Sequence, residues 1–313
     1  MIQRARWRGV RWLAAWLLML PASARAADVA DGSSVRVRIG FSTTLVGTEL
    51  NSNDVRAALL VWAEAFSRGS HVKIEHVPEV MSTPEALFQH IRRDEVDVFS
   101  LPVSEYLQIA SYTDPNLLMV DGSYVTGGEE YLIVVHADSG IRSLAELRGK
   151  NLIRFSGIVM CIAGEWLETA LAQSNLGPPE AFFKQISSVP KAARAVLPVF
   201  FRQEDAGLVT RRAYDTLVEM NPQLGTKLRI IATSPKVVPV ILAFHKNCTA
   251  EQRENFKAAL MSLSRNPEGQ QILTLFGSKG LREATPAVLA SAIDIVRNSN
   301  RVRPRNTVPK ENH

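Results

Sequence analysis

The chain has 313 residues, of which 46% are hydrophobic and 21% are charged; this composition can bury a large core and excludes an intrinsically disordered protein. Its formal net charge of +5 suggests a nucleic-acid binder only until the charges are located. Residues 1–26 hold five arginines and no acid, and removing these five from the 36 basic residues leaves 31, equal to the 31 acidic residues. A basic groove for nucleic acid is therefore not expected.

The N-terminus has the pattern of a secretory signal peptide. Residues 1–26 contain a positively charged segment, the apolar run WLAAWLLML, Pro21, and an A-x-A pattern that ends at Ala26. Nine apolar residues are too few for a membrane anchor, because the hydrocarbon core needs about 20. We therefore predict cleavage before Ala27 and a mature protein in an exported compartment. That compartment permits a disulfide, but the sequence leaves open whether Cys161 and Cys248 form one.

Strands and helices alternate in the first half of the remaining chain. A strand with period two over 35–41 is followed by an amphipathic helix over 53–67 and a strand over 71–77. A helix capped by Thr83, with Pro84 at its first position, then leads to a buried strand at 96–100. This βαβαβ order predicts an open sheet flanked by helices.

The second half repeats this order. It contains a strand at 131–136, a short helix with a Ser143/Glu146 capping box, strands at 151–156 and 206–209, and a hydrophobic run at 237–245. We interpret 131–136 and 237–245 as two strands that cross between lobes. Residues 95–102 and 204–211 resemble each other, which suggests that the two lobes are similarly built and present strand ends to a shared cleft.

Three further helices are predicted at 250–264, 267–276 and 286–296, and they should pack on the first lobe. Residues 297–313 have few apolar side chains, two prolines and clustered arginines. We expect this basic tail to be mobile.

The sequence contains no motif of a nucleophile elbow, phosphate loop, dinucleotide fold or zinc protease, and its six histidines are scattered. No catalytic residue, cofactor or metal is predicted, although a periplasmic hydrolase remains a weaker alternative. Glu129 and Glu130, in a glycine-rich turn, are expected to be solvated. The candidate ligand-binding residues are hydroxyl and glycine residues at strand ends, with one tyrosine and one arginine, an arrangement suited to an anion: Ser42, Thr43, Thr44, Ser100, Tyr124, Ser156, Gly157, Thr210, Arg211 and Ser234.

Several segments carry a family resemblance: IGFSTTLVG, EVDVFSLPVSEYL, SGIRSLAELRGKNL, EDAGLVTRRAYD and VVPVILAFHKNCTAEQRENFKAAL. With them, residues 35–296 resemble the phosphate/phosphite/phosphonate type of periplasmic solute-binding protein of ABC transporters. The resemblance implies an α/β, two-lobed type II periplasmic-binding-protein fold, in which each lobe is an open mixed sheet flanked by helices and two crossing strands join the lobes. Lobe 1 is then 27–135 plus 240–296, and lobe 2 is 136–239.

The resemblance also implies a function. The chain is expected to be a monomer that closes on a small anionic ligand and delivers it to a membrane ABC permease. The alternative is a ligand-sensing subunit for a membrane receptor kinase, which the sequence does not separate from a transport role.

Two departures from the family pattern bear on the ligand. Where phosphonate binders continue with hydroxyl residues, Ile158, Val159 and Met160 follow Gly157. This apolar run suggests a larger, partly hydrophobic anion. Where those binders place an acidic residue, this chain has Arg211; if the side chain faces the cleft it favours an anion without an amine, and if it faces outward it is solvated.

Overall fold

A computed structural model describes residues 34–45, 59–60, 63–64, 66–67, 70, 72–75, 79–125, 127–265, 267–275 and 278–302. The predicted signal peptide lies outside the described residues. The described part of the predicted helix 53–67, namely residues 59–60, 63–64 and 66–67, is helical. The strands are β1 (Val35–Val37), β2 (Ile39–Phe41), β3 (Val72–Ile74), β4 (Glu79–Val80), β5 (Val98–Pro102), β6 (Thr113–Asp121), β7 (Tyr131–His136), β8 (Asn151–Phe155), β9 (Gln185–Val189), β10 (Ala206–Thr210), β11 (Leu228–Thr233), β12 (Val240–His245) and β13 (Leu281–Ala284).

The described helices follow the strands in chain order. They are α1 (Pro84–Arg92), α2 (Val103–Ile109), α3 (Gly122–Val125), α4 (Ala163–Gln173), α5 (Pro179–Phe182), α6 (Ala192–Phe200), α7 (Arg211–Met220), α8 (Gln223–Lys227), α9 (Ala250–Ser262), α10 (Pro267–Leu275) and α11 (Ala290–Val302). The predicted helix after Ser143 is a 3₁₀ turn, Leu144–Leu147, whose capping box is present. Within the described residues, no helix combines the length and apolar character needed to span a bilayer.

Two mixed sheets share one topology. The six-stranded sheet has the order β13-β6-β12-β5-β2-β4, and the five-stranded sheet has the order β11-β7-β10-β8-β9. In each, three parallel strands adjoin one antiparallel strand, β12 beside β5 and β7 beside β10. The two similar passages form β5 and β10, which occupy equivalent places in the two sheets. The internal repeat inferred from sequence is therefore confirmed in the topology.

The chain passes between the sheets at 127–130 and 234–239. These two segments run antiparallel, with the Glu129 amide donating to the Val237 carbonyl at 2.7 Å and the Val237 amide donating to the Glu129 carbonyl at 2.8 Å. The two predicted crossing strands lie mostly inside the sheets. β7 pairs along its length with β10 and β11 in the five-stranded sheet, and β12 pairs with β5 and β6 in the six-stranded sheet. Of the two predicted strands, only 237–239 lies in a crossing segment. The lobe boundaries given above stay a prediction.

The hydrophobic core is continuous from one sheet to the other. A single cluster of buried side chains includes Phe99 and Leu101 from β5 and Ile133 and Leu208 from the five-stranded sheet. The last helix, α11, joins the same cluster through its buried Ile295. Packed side chains of this cluster bring the two sheets into contact in this structure.

The basic tail begins later than predicted. Residues 297–302 continue α11 instead of forming a mobile segment. The physical reason is the buried Ser299, whose hydroxyl donates to a carboxylate oxygen of Glu168 on α4. The rest of the predicted tail, 303–313, lies outside the described residues.

The predicted strand over 35–41 is interrupted at Arg38. Its amide donates to a carboxylate oxygen of Asp97 at 2.7 Å, and its carbonyl accepts from the amides of Asp97 and Val98 at 2.9 and 3.1 Å. Residues before the break pair with β3, while those after it pair with β4 and β5. The interruption therefore aligns β2, whose carboxyl end leads into the candidate site.

Candidate functional site

The carboxyl ends of β2 and β5 meet at one edge of the six-stranded sheet. The amide of Ser42, just after β2, donates to the carbonyl of Ser100 in β5 at 3.0 Å. The Ser42 hydroxyl oxygen is buried and accepts from the Thr44 amide at 3.2 Å. Thr43 is half-buried in the same 3₁₀ turn, Thr43–Leu45. Three of the predicted site residues are thus held together by a single turn.

This turn contacts a carboxyl group that the sequence analysis did not select. Glu105, in the first turn of α2, is only 7% exposed, and its Oε1 accepts from the Thr44 hydroxyl at 2.5 Å. Its Oε2 is buried and has no hydrogen-bond partner. Burial raises the pKa of Glu105, the Thr44 and Ser42 hydroxyls beside the carboxyl group oppose that shift, and the negative charge of Glu85 adds to it. A glutamate in the first turn of a helix is common, so no sequence pattern marks this residue as part of a site.

At the edge of the five-stranded sheet, β8 ends in a glycine turn. The amide and the hydroxyl of Ser156 both donate to the Val189 carbonyl, at 2.9 and 3.1 Å. Gly157 begins a 3₁₀ turn, and a Cβ at this position would lie 2.2 Å from the Phe155 ring. A side chain at position 157 would therefore displace that ring.

The apolar residues of this turn, Ile158–Met160, do not form the continuous apolar surface that the sequence suggests. Ile158 is 42% exposed and Val159 is half-buried, but Met160 is buried in the core that spans the two sheets. The apolar surface at this edge thus comes from Ile158 and part of Val159. The hydroxyl of Tyr131 fixes the turn by donating to the Val159 carbonyl at 2.9 Å.

One carbonyl of the returning segment connects the two sheet edges. The Pro239 oxygen accepts from the Val103 amide, at the start of α2, at 3.0 Å. It also accepts from the Cys161 thiol, which follows the glycine turn, at 3.3 Å. Burial raises the pKa of this thiol, and the charges of Glu165 and Glu105 raise it further. The start of α2 and the Cys161 segment therefore face each other across the returning strand.

The two cysteines are both free thiols. Cys161 binds Pro239, immediately before β12, whereas the Cys248 amide donates to the His245 carbonyl at the other end of β12. Six residues of strand span about 20 Å. A disulfide needs Cα atoms within about 7 Å, so this arrangement does not allow one.

Two arginines begin α7, and each pairs with one of two adjacent glutamates. The Nε of Arg211 donates to Glu130 at 3.0 Å, and the Nε of Arg212 lies 3.4 Å from a carboxylate oxygen of Glu129. The Arg212 guanidinium also lies 5.4 Å from the centre of the Tyr124 ring. The Arg211 side chain is partly exposed and its charge is engaged by Glu130, and its role in ligand binding stays a prediction.

The expectation that Glu129 is solvated is wrong. It is 3% exposed, because the adjacent crossing segment covers it. Burial raises the pKa of Glu129, although the positive charge of Arg212 opposes the shift. Burial likewise raises the pKa of Tyr124.

The remaining predicted hydroxyls have partners within the protein. Ser100 donates to the Ile241 carbonyl at 3.0 Å, and Thr210 caps α7 by accepting from the Ala213 amide at 3.2 Å. The Ser234 hydroxyl accepts from the Tyr131 amide at 2.8 Å and donates to the Pro235 carbonyl at 2.7 Å. Their role in ligand binding stays a prediction. The described residues include no group of three or more histidine, cysteine, aspartate or glutamate side chains that could hold a metal ion.

Comparisons with known proteins address family and fold. Residues 48–289 match the family model described as "ABC transporter, phosphonate, periplasmic substrate-binding protein". No curated protein matches the sequence significantly.

Similar solved structures include a binding protein component of an ABC phosphonate transporter from Pseudomonas aeruginosa, 16% identical with a TM-score of 0.55, covering 89% of this chain and 92% of its own. PhnD1 from Prochlorococcus marinus, solved in complex with methylphosphonate, is 14% identical with a TM-score of 0.56, covering 85% and 99%. A Xanthomonas citri protein bound to ATP is 17% identical with a TM-score of 0.56, covering 86% and 98%. These likenesses show the fold, which is the two-lobed α/β type II periplasmic-binding fold expected from the sequence.

Proposed function

Because the chain belongs to the family of phosphonate-type periplasmic substrate-binding proteins of ABC transporters, we propose that it captures a small phosphorus oxyanion between its two sheets and delivers it to a membrane permease. The family is one of binding proteins and not of enzymes. The observation that carries the proposal is the shared Pro239 carbonyl, which accepts from both the start of α2 and Cys161. Strand ends of both sheets therefore face one space, where open α/β sheets bind ligands.

The anion is held chiefly by uncharged donors. Both arginines at the start of α7 are engaged by glutamates, and Arg154 in β8 donates from Nε to the Ser188 hydroxyl at 2.8 Å. No side chain caps the turn that begins at Gly157, which leaves backbone amides as its donors. The exposed Ile158 beside this turn provides contact for an organic substituent. This combination favours an organophosphorus anion with a small apolar part.

Closure of the lobes follows from the paired crossing segments. Only 127–130 and 234–239 connect the two sheets along the described chain, and they are hydrogen-bonded to each other. Groups from both edges contact the ligand together only when the lobes are closed. Ligand binding therefore shifts the population toward the closed form, which the permease recognises.

A thermal-shift panel of phosphate, phosphite, alkylphosphonates, alkylsulfonates and carboxylates tests the ligand. A ligand at about 100 times its dissociation constant adds about 2.7 kcal/mol to the free energy of unfolding. We expect stabilisation by phosphorus oxyanions, with alkylphosphonates above inorganic phosphate. Stabilisation by carboxylates or sulfonates alone would contradict the proposal.

A further inference from the structure

The buried carboxyl group of Glu105 is the feature that the proposed function leaves unexplained. One oxygen accepts from Thr44, and the other, Oε2, is buried without a partner. An unsatisfied buried polar atom costs about 1 to 3 kcal/mol, and more if it is charged. Such an atom at the edge where two sheets meet points to a ligand that completes its hydrogen bonding.

Among the described residues, no cationic side chain forms an ion pair with Glu105. The charged group that shifts its pKa is Glu85 on α1, which is also negative. From the facing segment the Cys161 thiol interacts electrostatically with Glu105, and burial, which raises the pKa of that thiol, keeps it neutral. The remaining neighbours are the hydroxyls of Ser42 and Thr44. A carboxylate in this position would be isolated from any cation among the described residues.

We propose that Glu105 is uncharged in the liganded protein and donates a hydrogen bond from Oε2 to an oxygen of the bound oxyanion. This inference rests on the proposed function, since it assigns a donor to the same anion. Because the Thr44 hydroxyl donates to Oε1, that oxygen acts as the carbonyl, and the proton resides on Oε2. A neutral carboxyl group thus supplies the side-chain donor that the engaged arginines do not.

The consequence is a proton linked to binding. Above the pKa of Glu105 in the free protein, each binding event must take up one proton. The dissociation constant then rises up to tenfold per pH unit, because a shift of one unit equals a factor of ten. Glutamine at this position has an amide N–H₂ group that donates at every pH.

The experiment measures the dissociation constant of methylphosphonate by calorimetry between pH 5 and 9 for the purified wild-type protein and for Glu105→Gln. The ligand's own titration is common to both proteins and cancels in the ratio of their dissociation constants. We expect the two proteins to agree within a few-fold at low pH and the wild type to weaken progressively relative to Glu105→Gln as the pH rises. Glu85→Gln, at an exposed site, should move the onset of this weakening to lower pH, because the negative charge that raises the pKa of Glu105 is removed.

The ligand-free proteins give an independent check. The pKa of Glu105 is raised in the folded state, so the unfolded chain ionises first as the pH increases. Wild-type stability is therefore lost relative to Glu105→Gln from about pH 4.3, the ordinary glutamate value, up through the raised pKa. Thermal unfolding of both proteins across this range measures the divergence and shows that the variant is folded.

Three results would overturn the inference. A ratio of dissociation constants that does not vary with pH would mean that Glu105 holds no proton for the ligand. Loss of binding by Glu105→Gln at every pH would mean that the carboxylate acts as an acceptor, for example of a ligand ammonium group. Failure of both proteins to bind methylphosphonate, phosphite or phosphate would refute the proposed function itself, and the inference with it.

Discussion

Replacement of Gly128 by alanine tests how closely the crossing segments approach each other. Gly128 has φ = +68°, and an added Cβ would lie 3.0 Å from both the backbone nitrogen and the backbone oxygen of Val237. The left-handed conformation costs an alanine about 1 to 2 kcal/mol. Overpacking against the backbone adds about 1 to 3 kcal/mol. The expected total loss is about 2 to 5 kcal/mol.

Gly140 provides the matched control, because it has φ = +81° and nothing within 4 Å of an added Cβ. Gly140→Ala should therefore lose only the conformational part, about 1 to 2 kcal/mol. Urea denaturation of the two variants measures the difference, and the slopes should be unchanged. Equal losses in the two variants would refute the claim that the crossing segments leave no room at position 128.

The remaining predictions concern α7 and the cysteines. Arg212→Ala should lower the free energy of unfolding by about 1 to 3 kcal/mol, because it leaves the buried Glu129 carboxyl without its charged partner. Arg211→Ala should cost less than about 1 kcal/mol, because both members of its pair with Glu130 are partly exposed. Equal losses in urea denaturation would contradict this. Cys161 and Cys248 should both be alkylated in denaturant without reductant, and slowly in the native protein, since burial raises the pKa of Cys161 and raises that of Cys248 to about 12. Mass spectrometry that finds a disulfide after denaturation would disprove the free-thiol assignment.

Local sequence patterns were sufficient for most secondary structure. The Thr83 cap with Pro84 begins α1 as expected, and the buried runs at 98–102 and 206–210 are strands. The sequence analysis missed β6, because Asp114, Pro115 and Asn116 are typical of turns. The Asn116 amide donates to the Asp114 carboxylate at 2.8 Å, and this bond stabilises the irregular start of β6. Pairing with β12 then holds β6 in the sheet. β6 is therefore a strand because it pairs with segments distant in sequence, β12 and β13.

The site was less predictable than the fold, because its contacts join residues far apart in sequence. Glu129 looked solvated from its glycine-rich surroundings, yet Arg212 and the crossing at Val237 bury it. The Glu105 carboxyl group accepts a hydrogen bond from Thr44, which lies 61 positions earlier. Periodicity and turn chemistry report on neighbours along the chain, so neither could reveal these pairs.

The predicted hydroxyl residues show a second limitation: their positions were easier to predict than their hydrogen-bond partners. Ser42 and Ser156 directly follow β2 and β8, as predicted, but Ser100 lies in the middle of β5 and does not end it. The sequence did not indicate that the Ser100 and Ser156 hydroxyls would be used by backbone carbonyls. A hydroxyl at a strand end can serve the protein or a ligand, and only the partners within reach distinguish the two.

The most direct test of the account is a crystal structure of the protein grown with methylphosphonate. The account predicts phosphorus density between the two sheets, with phosphonate oxygens within hydrogen-bond distance of the backbone amides after Gly157 and of Oε2 of Glu105. Density confined to the edge of one sheet, or an Oε2 that remains without a partner beside a bound ligand, would contradict it.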